Sequence, residues 1–200
     1  MNIYDIGIVK QGSPGEILFK EELLSELWFR DGLYCRPLEI KILAWFLKQI
    51  SGDYLEIGVN RGATAINICK NNPDRQIYGV DLLCETTMCR QQRIEQPNSN
   101  TVAEYCRDEK NFHLILESSW HIKIPGSVKM VFIDADHTYK AVKNDTENVL
   151  EQMKEGYIFW HDFHNNLHDD YLGVTRYLIN LSYERQIYYF KNTWLAFMMI

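Results

Sequence analysis

The stretch YLEIGVNRG, residues 54–62, is an apolar run that carries one acidic residue and then breaks into two glycines. This pattern is typical of a strand that ends in a tight turn before a helix. A more specific interpretation is a cradle for a nucleotide-like ligand, because glycine has no Cβ and lets a ligand approach the backbone. Glu56 favours the cradle, since a carboxylate inside a buried strand needs a partner.

Outward from this stretch, strand-like and helix-like segments alternate along the chain. The apolar runs DYLEIG, QIYGVD, FHLILE, VKMVFID and YIFWHD are separated by segments with helical spacing. Such alternation predicts an α/β fold, a Rossmann-like doubly wound and mostly parallel sheet with helices on both faces. RQIYYF and TWLAFMMI follow, separated by KN, and predict a C-terminal hairpin that adds one antiparallel strand.

The N-terminal quarter has the pattern of helices. Ser13 and Glu16 have capping-box spacing, which predicts a helix from Gly15 to Phe29. A second helix, PLEIKILAWFLKQI, begins with a proline, which is favoured at the first helical position. We therefore expect residues 1–51 to form a helical lid or cap and residues 52–200 to form the ligand-binding domain, within one compact unit.

Composition limits the classes of partner. The chain has 200 residues, 21 basic against 27 acidic side chains and a net charge of −6, which argues against a nucleic-acid partner. It shows neither a signal pattern nor an apolar stretch that could span a bilayer, so we expect a soluble cytoplasmic protein without a membrane partner. The five cysteines lack metal or redox spacing and are expected as free thiols. A homodimer face is predicted on Trp28, Phe29, Trp45 and Phe46.

The next strand supplies a candidate sugar-binding acid. Asp81 lies about twenty residues past the glycine turn, where a carboxylate can accept hydrogen bonds from two ribose hydroxyls. Gly58 and Gly62 have three residues between them, so the dinucleotide spacing G-x-G-x-x-G is absent. The alternative role for Asp81 is that of a helix N-cap.

A second polar group follows the fourth and fifth strands. FIDADHTY places Asp134 and His137 after one strand, and FWHDF places His161 and Asp162 after its neighbour. Convergent carboxylates must be neutralised by a proton or a cation, so a divalent metal at Asp134 and Asp162 is predicted, with a histidine as general base. A cofactor-contacting or helix-capping role without metal stays open.

Taken together, EIGVNRG, GVD, VFIDADHTY, GYIFWHDF and GVTRY resemble the class I S-adenosylmethionine-dependent methyltransferases. Within them, the chain is most similar to small-molecule O-methyltransferases of sugar and natural-product pathways. The resemblance runs from about Gly52 to the C-terminus and implies the strand order 3-2-1-4-5-7-6. It also implies S-adenosylmethionine as cofactor and a small hydroxylated molecule as methyl acceptor.

The resemblance assigns roles by position. Glu56 would lie by the methionine amino group, Asp81 would hold the ribose, and Glu117 and Ser118 would flank the adenine. The cofactor-binding residues that it implies are Glu56, Gly58, Asn60, Gly62, Asp81, Glu117, Ser118 and Asp134.

The catalytic residues are expected to be His137 and His161, and a Mg²⁺ or Mn²⁺ ion would be held by Asp134, His161 and Asp162. The family has an acidic or amide side chain where this sequence has His161. One oxygen ligand is therefore missing, and imidazole favours a softer ion. Two other functions stay open: an NAD(P)-dependent oxidoreductase on a Rossmann-type sheet, and a non-catalytic cofactor-binding module.

Overall fold

The computed structural model describes residues 4–6, 15–19, 27, 35–83, 99–163 and 173–200. Nine strands and four α-helices lie within these described residues. In chain order they are β1 (Tyr4–Ile6), β2 (Gly15–Phe19), α1 (Pro37–Gln49), β3 (Asp53–Ile57), α2 (Ala63–Asn71), β4 (Ile77–Asp81), β5 (Phe112–Leu116), β6 (Val128–Ile133), α3 (Tyr139–Gln152), β7 (Tyr157–Trp160), α4 (Gly173–Leu181), β8 (Tyr188–Phe190) and β9 (Ala196–Met199). A 3₁₀ turn lies at Glu104–Cys106.

All the strands belong to one sheet in the order β1-β2-β8-β9-β7-β6-β3-β4-β5. From β5 to β8, this order confirms the predicted arrangement 3-2-1-4-5-7-6. The five strands β3 to β7 run parallel, and β9 is antiparallel to both β7 and β8, as the hairpin predicted. The sheet is therefore a Rossmann-like sheet of the mostly parallel, doubly wound kind.

The N-terminal residues extend this sheet, which the sequence did not predict. The strand β2, Gly15–Phe19, pairs in parallel with β8. The strand β1, Tyr4–Ile6, pairs with β2 in an antiparallel sense. The helix predicted from Gly15 to Phe29 is therefore wrong over Gly15–Phe19, and its remaining part lies largely outside the described residues. The capping-box spacing is a local signal, whereas the free edge of β8 offers unpaired backbone groups that favour an added strand.

Helices cover both faces of the sheet, as predicted. Residues of α1 and α2 pack in one hydrophobic cluster, and residues of α3 and α4 pack in another on the opposite face. α1 begins at Pro37 as expected, and α3 begins after Thr138, whose Oγ1 accepts a hydrogen bond from the Ala141 amide. Phe46 on α1 is buried against Phe159 and Phe197, so it belongs to the core and is wrong as part of a dimer face.

The carboxyl ends of the central strands meet at one edge of the sheet. The Asp134 amide donates to the Ile57 carbonyl at 2.9 Å, and the His161 amide donates to the Ile133 carbonyl at 3.1 Å. These bonds place the residues that follow β3, β6 and β7 side by side. Cys35, Cys69 and Cys106 are free thiols, as expected. Among the residues described, we find no helix that is both long and apolar enough to cross a membrane.

Candidate active site

The turn after β3 has left-handed backbone at three positions. Gly58, Asn60 and Gly62 have φ angles of +93°, +47° and +87°. Glycine adopts such angles without strain, whereas asparagine is one of the few other residues that tolerate them. The Gly58 amide donates to the Val80 carbonyl at 2.9 Å, which draws the turn against the end of β4. The turn therefore lies between two strand ends, where ligands bind in sheets of this type.

Packing within the protein accounts for both glycines. A Cβ at Gly58 would lie 2.2 Å from the Asp134 carbonyl oxygen, and a Cβ at Gly62 would lie 2.9 Å from Cys106 Sγ. The glycines are therefore required by close approach of the chain to itself, a reason different from the ligand approach that the sequence suggested. The contact at Gly58 also shows that the turn after β3 adjoins the Asp134 backbone directly.

The Asp81 carboxylate stands at the end of β4 and faces this turn. Its Oδ2 accepts a hydrogen bond from the Asn60 amide at 2.6 Å, and its Oδ1 accepts one from the Leu82 amide at 2.7 Å. Burial raises the pKa of Asp81, while the two amide hydrogen bonds act in the opposite direction. A carboxylate offers about four lone-pair sites, so capacity remains for two ribose hydroxyls.

Asn60 carries an unsatisfied polar atom at the same place. Its side-chain Oδ1 is buried and finds no hydrogen-bond partner among the described residues. A buried polar atom without a partner is costly, and it is satisfied when a ligand supplies a donor. Asn60 and Asp81 together therefore fit a ligand that carries hydroxyl or amino donors.

Glu56 lies beneath the turn and is 2% exposed. The Tyr54 hydroxyl donates a hydrogen bond to its Oε2 at 3.0 Å. Burial raises the pKa of Glu56 well above its usual range, the Tyr54 hydrogen bond lowers it, and the charges of Asp134 and Asp81 raise it further. A cationic ligand group beside Glu56 would relieve this cost, which fits an ammonium or sulfonium better than a diphosphate.

The structure also brings together the polar residues after β6 and β7. Asp134, His137, His161 and Asp162 form what we call the acid–histidine cluster. His137 Nδ1 lies 3.1 Å from Asp162 Oδ2, and His137 Nε2 lies 3.5 Å from Asp134 Oδ1. His161 Nδ1 lies 3.4 Å from Asp134 Oδ1 and 3.5 Å from Asp162 Oδ1. Each carboxylate therefore faces both imidazoles.

Mutual contacts shift the protonation of this cluster. Burial alone would raise the pKa of Asp134, but hydrogen bonds with His137 and His161 hold it well below its usual range. The hydrogen bond with Asp134 raises the pKa of His137. Burial opposes a charge on His161, but hydrogen bonds with carboxylates and with Cys35 raise its pKa. Asp162 has a left-handed φ of +58°, a strained backbone of the kind that clusters at functional sites.

Two residues that the sequence analysis missed complete the surroundings of His161. Glu39 Oε2 lies 3.0 Å from His161 Nε2, and the Cys35 thiol donates to Asp134 Oδ2 at 3.4 Å. Glu39 also accepts hydrogen bonds from the amides of Trp194 and Arg36, each at 2.6 Å. Glu39 is the third residue of a helix that begins with proline, where a glutamate ordinarily caps the helix. The sequence therefore gave no sign that Glu39 contacts His161.

The residues expected at the adenine lie after β5. Asp81 pairs with Leu116 in the sheet, so Glu117 and Ser118 follow at the same edge. Their loop is fixed to α3, because Ser119 Oγ donates to Asp145 Oδ1 and Asn148 donates to the Ser119 carbonyl, each at 2.6 Å. Glu117 is exposed, and its contact with a cofactor stays a prediction.

Comparison with known proteins agrees with this geometry. A family model described as "Methyltransferase domain" matches residues 55–163, more than half of the chain. The uncharacterized protein R132 of Acanthamoeba polyphaga mimivirus is 29% identical over 118 residues, which cover 55% of this chain and 51% of that protein. The chain therefore spans about half the length of that relative.

Solved structures of methyltransferases share the fold. CalS11, a TDP-rhamnose 3'-O-methyltransferase of calicheamicin biosynthesis, superposes with a TM-score of 0.56 at 14% identity, over 81% of this chain and 77% of that one. TomG of Streptomyces achromogenes, an O-methyltransferase solved with S-adenosylmethionine, gives 0.54 at 14% identity, over 84% and 82%. At this identity the likeness concerns the fold alone.

Proposed function

The chain belongs to the methyltransferase-domain family, and from this premise we propose that it transfers a methyl group from S-adenosylmethionine to a hydroxyl oxygen of a small molecule. A sugar or a secondary metabolite is the proposed class of acceptor. The observation that carries the proposal is the contact between Gly58 and the Asp134 backbone, because it joins the ligand turn to the acid–histidine cluster. A methyl donor in the turn would thus lie beside a candidate base.

The described residues fit S-adenosylmethionine. Asp81 would accept the ribose hydroxyls, Asn60 Oδ1 would accept a hydrogen bond that it otherwise lacks, and buried Glu56 would face the positive methionine end. Gly58 and Gly62 would shape the turn around it, and Glu117 and Ser118 would flank the adenine. TomG, which has the same fold, was solved with this cofactor.

When bound, S-adenosylmethionine supplies an electrophilic methyl group, so the protein must orient the acceptor and accept one proton. The acceptor oxygen would bond to the methyl carbon as the carbon–sulfur bond breaks, and the hydroxyl proton would pass to His137. The His137 side chain is 41% exposed and is held by Asp134 and Asp162, so it is accessible and oriented. His137→Gln should therefore lower kcat while S-adenosylhomocysteine binding persists.

His161 has a different proposed role. Its side chain is 5% exposed, and both ring nitrogens face carboxylates. His137 also contacts two carboxylates, but it is open to solvent, whereas the buried His161 imidazole is out of reach of an acceptor hydroxyl. We assign it a positioning role, in which it orients Asp134 and Asp162 toward His137.

The metal part of the proposal rests on Asp134, His161 and Asp162. One ligand atom from each lies within 4.8 Å of the other two, a spacing that a single ion can bridge. Two carboxylates and an imidazole suit Mn²⁺ better than Mg²⁺, which prefers oxygen ligands. An ion here would lower the pKa of an acceptor hydroxyl bound to it. Thermal stabilisation by Mn²⁺ that is lost in Asp162→Asn would support this site, and no shift with either ion would remove it.

Calorimetry with S-adenosylhomocysteine and, separately, with NAD tests the proposed function. We expect S-adenosylhomocysteine to bind and NAD to give no heat, because Glu56 opposes a diphosphate. NAD binding without S-adenosylhomocysteine binding would favour an oxidoreductase instead. If the cofactor binds, turnover of a panel of hydroxylated sugars and phenols identifies the acceptor. Cofactor binding without turnover of any acceptor would favour a non-catalytic module.

A further inference from the structure

Cys35, Glu39 and His161 form a second group of metal-ligand side chains. One ligand atom from each lies within 4.8 Å of the other two. The three residues are 2%, 0% and 5% exposed, so the group is enclosed by the protein. We propose that this Cys35–Glu39–His161 group binds a borderline-soft divalent metal ion such as Zn²⁺.

The donor atoms select this class. Thiolate, imidazole and carboxylate are the three side-chain ligands that proteins use for Zn²⁺. A sulfur ligand disfavours Mg²⁺ and Ca²⁺, which take oxygen ligands. A bound metal also deprotonates a coordinating thiol, so a protonated Cys35 is no obstacle. The group thus differs in chemistry from Asp134 and Asp162, which offer only carboxylate oxygens.

The side chains of this group are already oriented by partners. Both oxygens of Glu39 accept backbone hydrogen bonds, Oε1 from the Trp194 amide and Oε2 from the Arg36 amide. His161 Nδ1 faces Asp134 and Asp162, which leaves Nε2 on the side of Glu39. A carboxylate on one imidazole nitrogen and a metal on the other is the usual arrangement at zinc sites. Asp134 Oδ2, 3.4 Å from Cys35 Sγ, is the oxygen within reach as a fourth ligand.

An ion in this group would connect two separate elements of the fold. Cys35 and Glu39 lie at the start of α1, whereas His161 follows β7, so one ion would join the helix to the ligand edge of the sheet. The competing arrangement is an ion pair in which protonated His161 meets Glu39 with no metal. A neutral imidazole has one nitrogen free for a metal, so His161 serves either this group or the Asp134–His161–Asp162 site at one time.

Cobalt titration of the metal-free full-length protein distinguishes these arrangements. We expect one Co²⁺ per chain, a sulfur-to-cobalt charge-transfer band in the near ultraviolet, and displacement of Co²⁺ by Zn²⁺ but not by Mg²⁺. Cobalt binding without the sulfur band would overturn the proposal, because the ion would then have only oxygen and nitrogen ligands. Absence of cobalt and zinc binding would overturn it in favour of the ion pair.

Two matched cysteine variants localise the sulfur. Cys35→Ser should abolish the band and lower the affinity for Zn²⁺. Loss of a side chain that only supports a ligand costs roughly 10- to 100-fold in affinity, and loss of the Cys35 ligand itself should cost more. Cys69→Ser replaces another buried free thiol, on α2, and should leave both unchanged. A band that persists in Cys35→Ser contradicts the assignment. No methyl donor is present in these titrations, so their result is independent of S-adenosylhomocysteine binding and of the proposed methyl transfer.

Discussion

The turn after β3 and the acid–histidine cluster lie side by side, yet the chain assembles them in different ways. Glu56 and Asp81 lie on two consecutive strands, Asn60 lies in the turn after the first of them, and Asp81 contacts backbone amides. The cluster and its partners span Cys35 to Asp162, and their contacts are between ionisable side chains, of which Glu39 and His161 are buried. A short sequence motif therefore specifies the first region, whereas only the folded sheet brings the second region together.

This difference has an energetic side. The hydrogen bonds of Asp81 join residues 1 and 21 positions apart, whereas the Glu39–His161 contact joins residues 122 positions apart, so closing the chain around Asp81 costs less entropy. Buried charges lose their hydration, and each is stable only while its partners remain. The cluster should therefore respond more strongly than the turn to the loss of a single side chain.

We expect the largest effect at Glu39, which is fully buried beside His161. In the metal-free protein, Glu39→Ala would leave His161 without one counter-charge and the Trp194 and Arg36 amides without this acceptor, so it should lower the free energy of unfolding by about 3–5 kcal/mol. Urea unfolding of both proteins measures the change. As a control, Glu151→Ala on the exposed face of α3 should stay within about 0.5 kcal/mol. A Glu39→Ala loss as small as the control's would show that the buried pair is not a stabilising unit.

The next effect concerns the cofactor. Asp81→Asn should weaken S-adenosylhomocysteine binding about 100-fold, because two hydrogen bonds to a charged group contribute roughly 3 kcal/mol together. Calorimetry on the two proteins gives the ratio. Asp74→Asn changes an exposed acid near the same strand and should bind like the unmodified protein. Equal affinities for Asp81→Asn and Asp74→Asn would contradict the role of Asp81.

A smaller, pH-dependent effect is expected at the loop after β5. Burial raises the pKa of Asp145 from 3.8 to about 6, although the Ser119 hydrogen bond lowers it. The folded protein then holds a proton that the unfolded chain releases, so stability should fall as pH rises from about 4 to 6, by up to about 3 kcal/mol. Asp145→Asn should flatten this part of the stability profile. If the profiles of the two proteins coincide over this range, Asp145 is an ordinary acid.

The smallest effect is expected within the turn itself. Gly62→Ala places an L-residue at a φ of +87°, which costs about 1–2 kcal/mol, and its Cβ would lie 2.9 Å from the Sγ atom of Cys106. Thermal unfolding should show the loss. Gly126→Ala has open space around its Cβ and serves as the matched control, with little change expected. A Gly62→Ala protein as stable as the control would mean that the turn relaxes freely.

Much of this architecture follows from local pattern. Alternating strands and helices predicted the central sheet, and the hairpin predicted the antiparallel β9. The strand at Gly15–Phe19 was missed because its pairing with β8 depends on an edge that only the folded sheet creates. Cys35 and Glu39 were missed for the same reason, since 122 positions separate Glu39 from His161 and no spacing rule connects them.

A structure of the protein in complex with S-adenosylhomocysteine tests the central claim most directly. We expect the ribose hydroxyls to contact Asp81, the homocysteine end to lie beside Glu56, and the sulfur to point toward the acid–histidine cluster. S-adenosylhomocysteine bound elsewhere, with no contact to Asp81 or to the turn after β3, would contradict this placement.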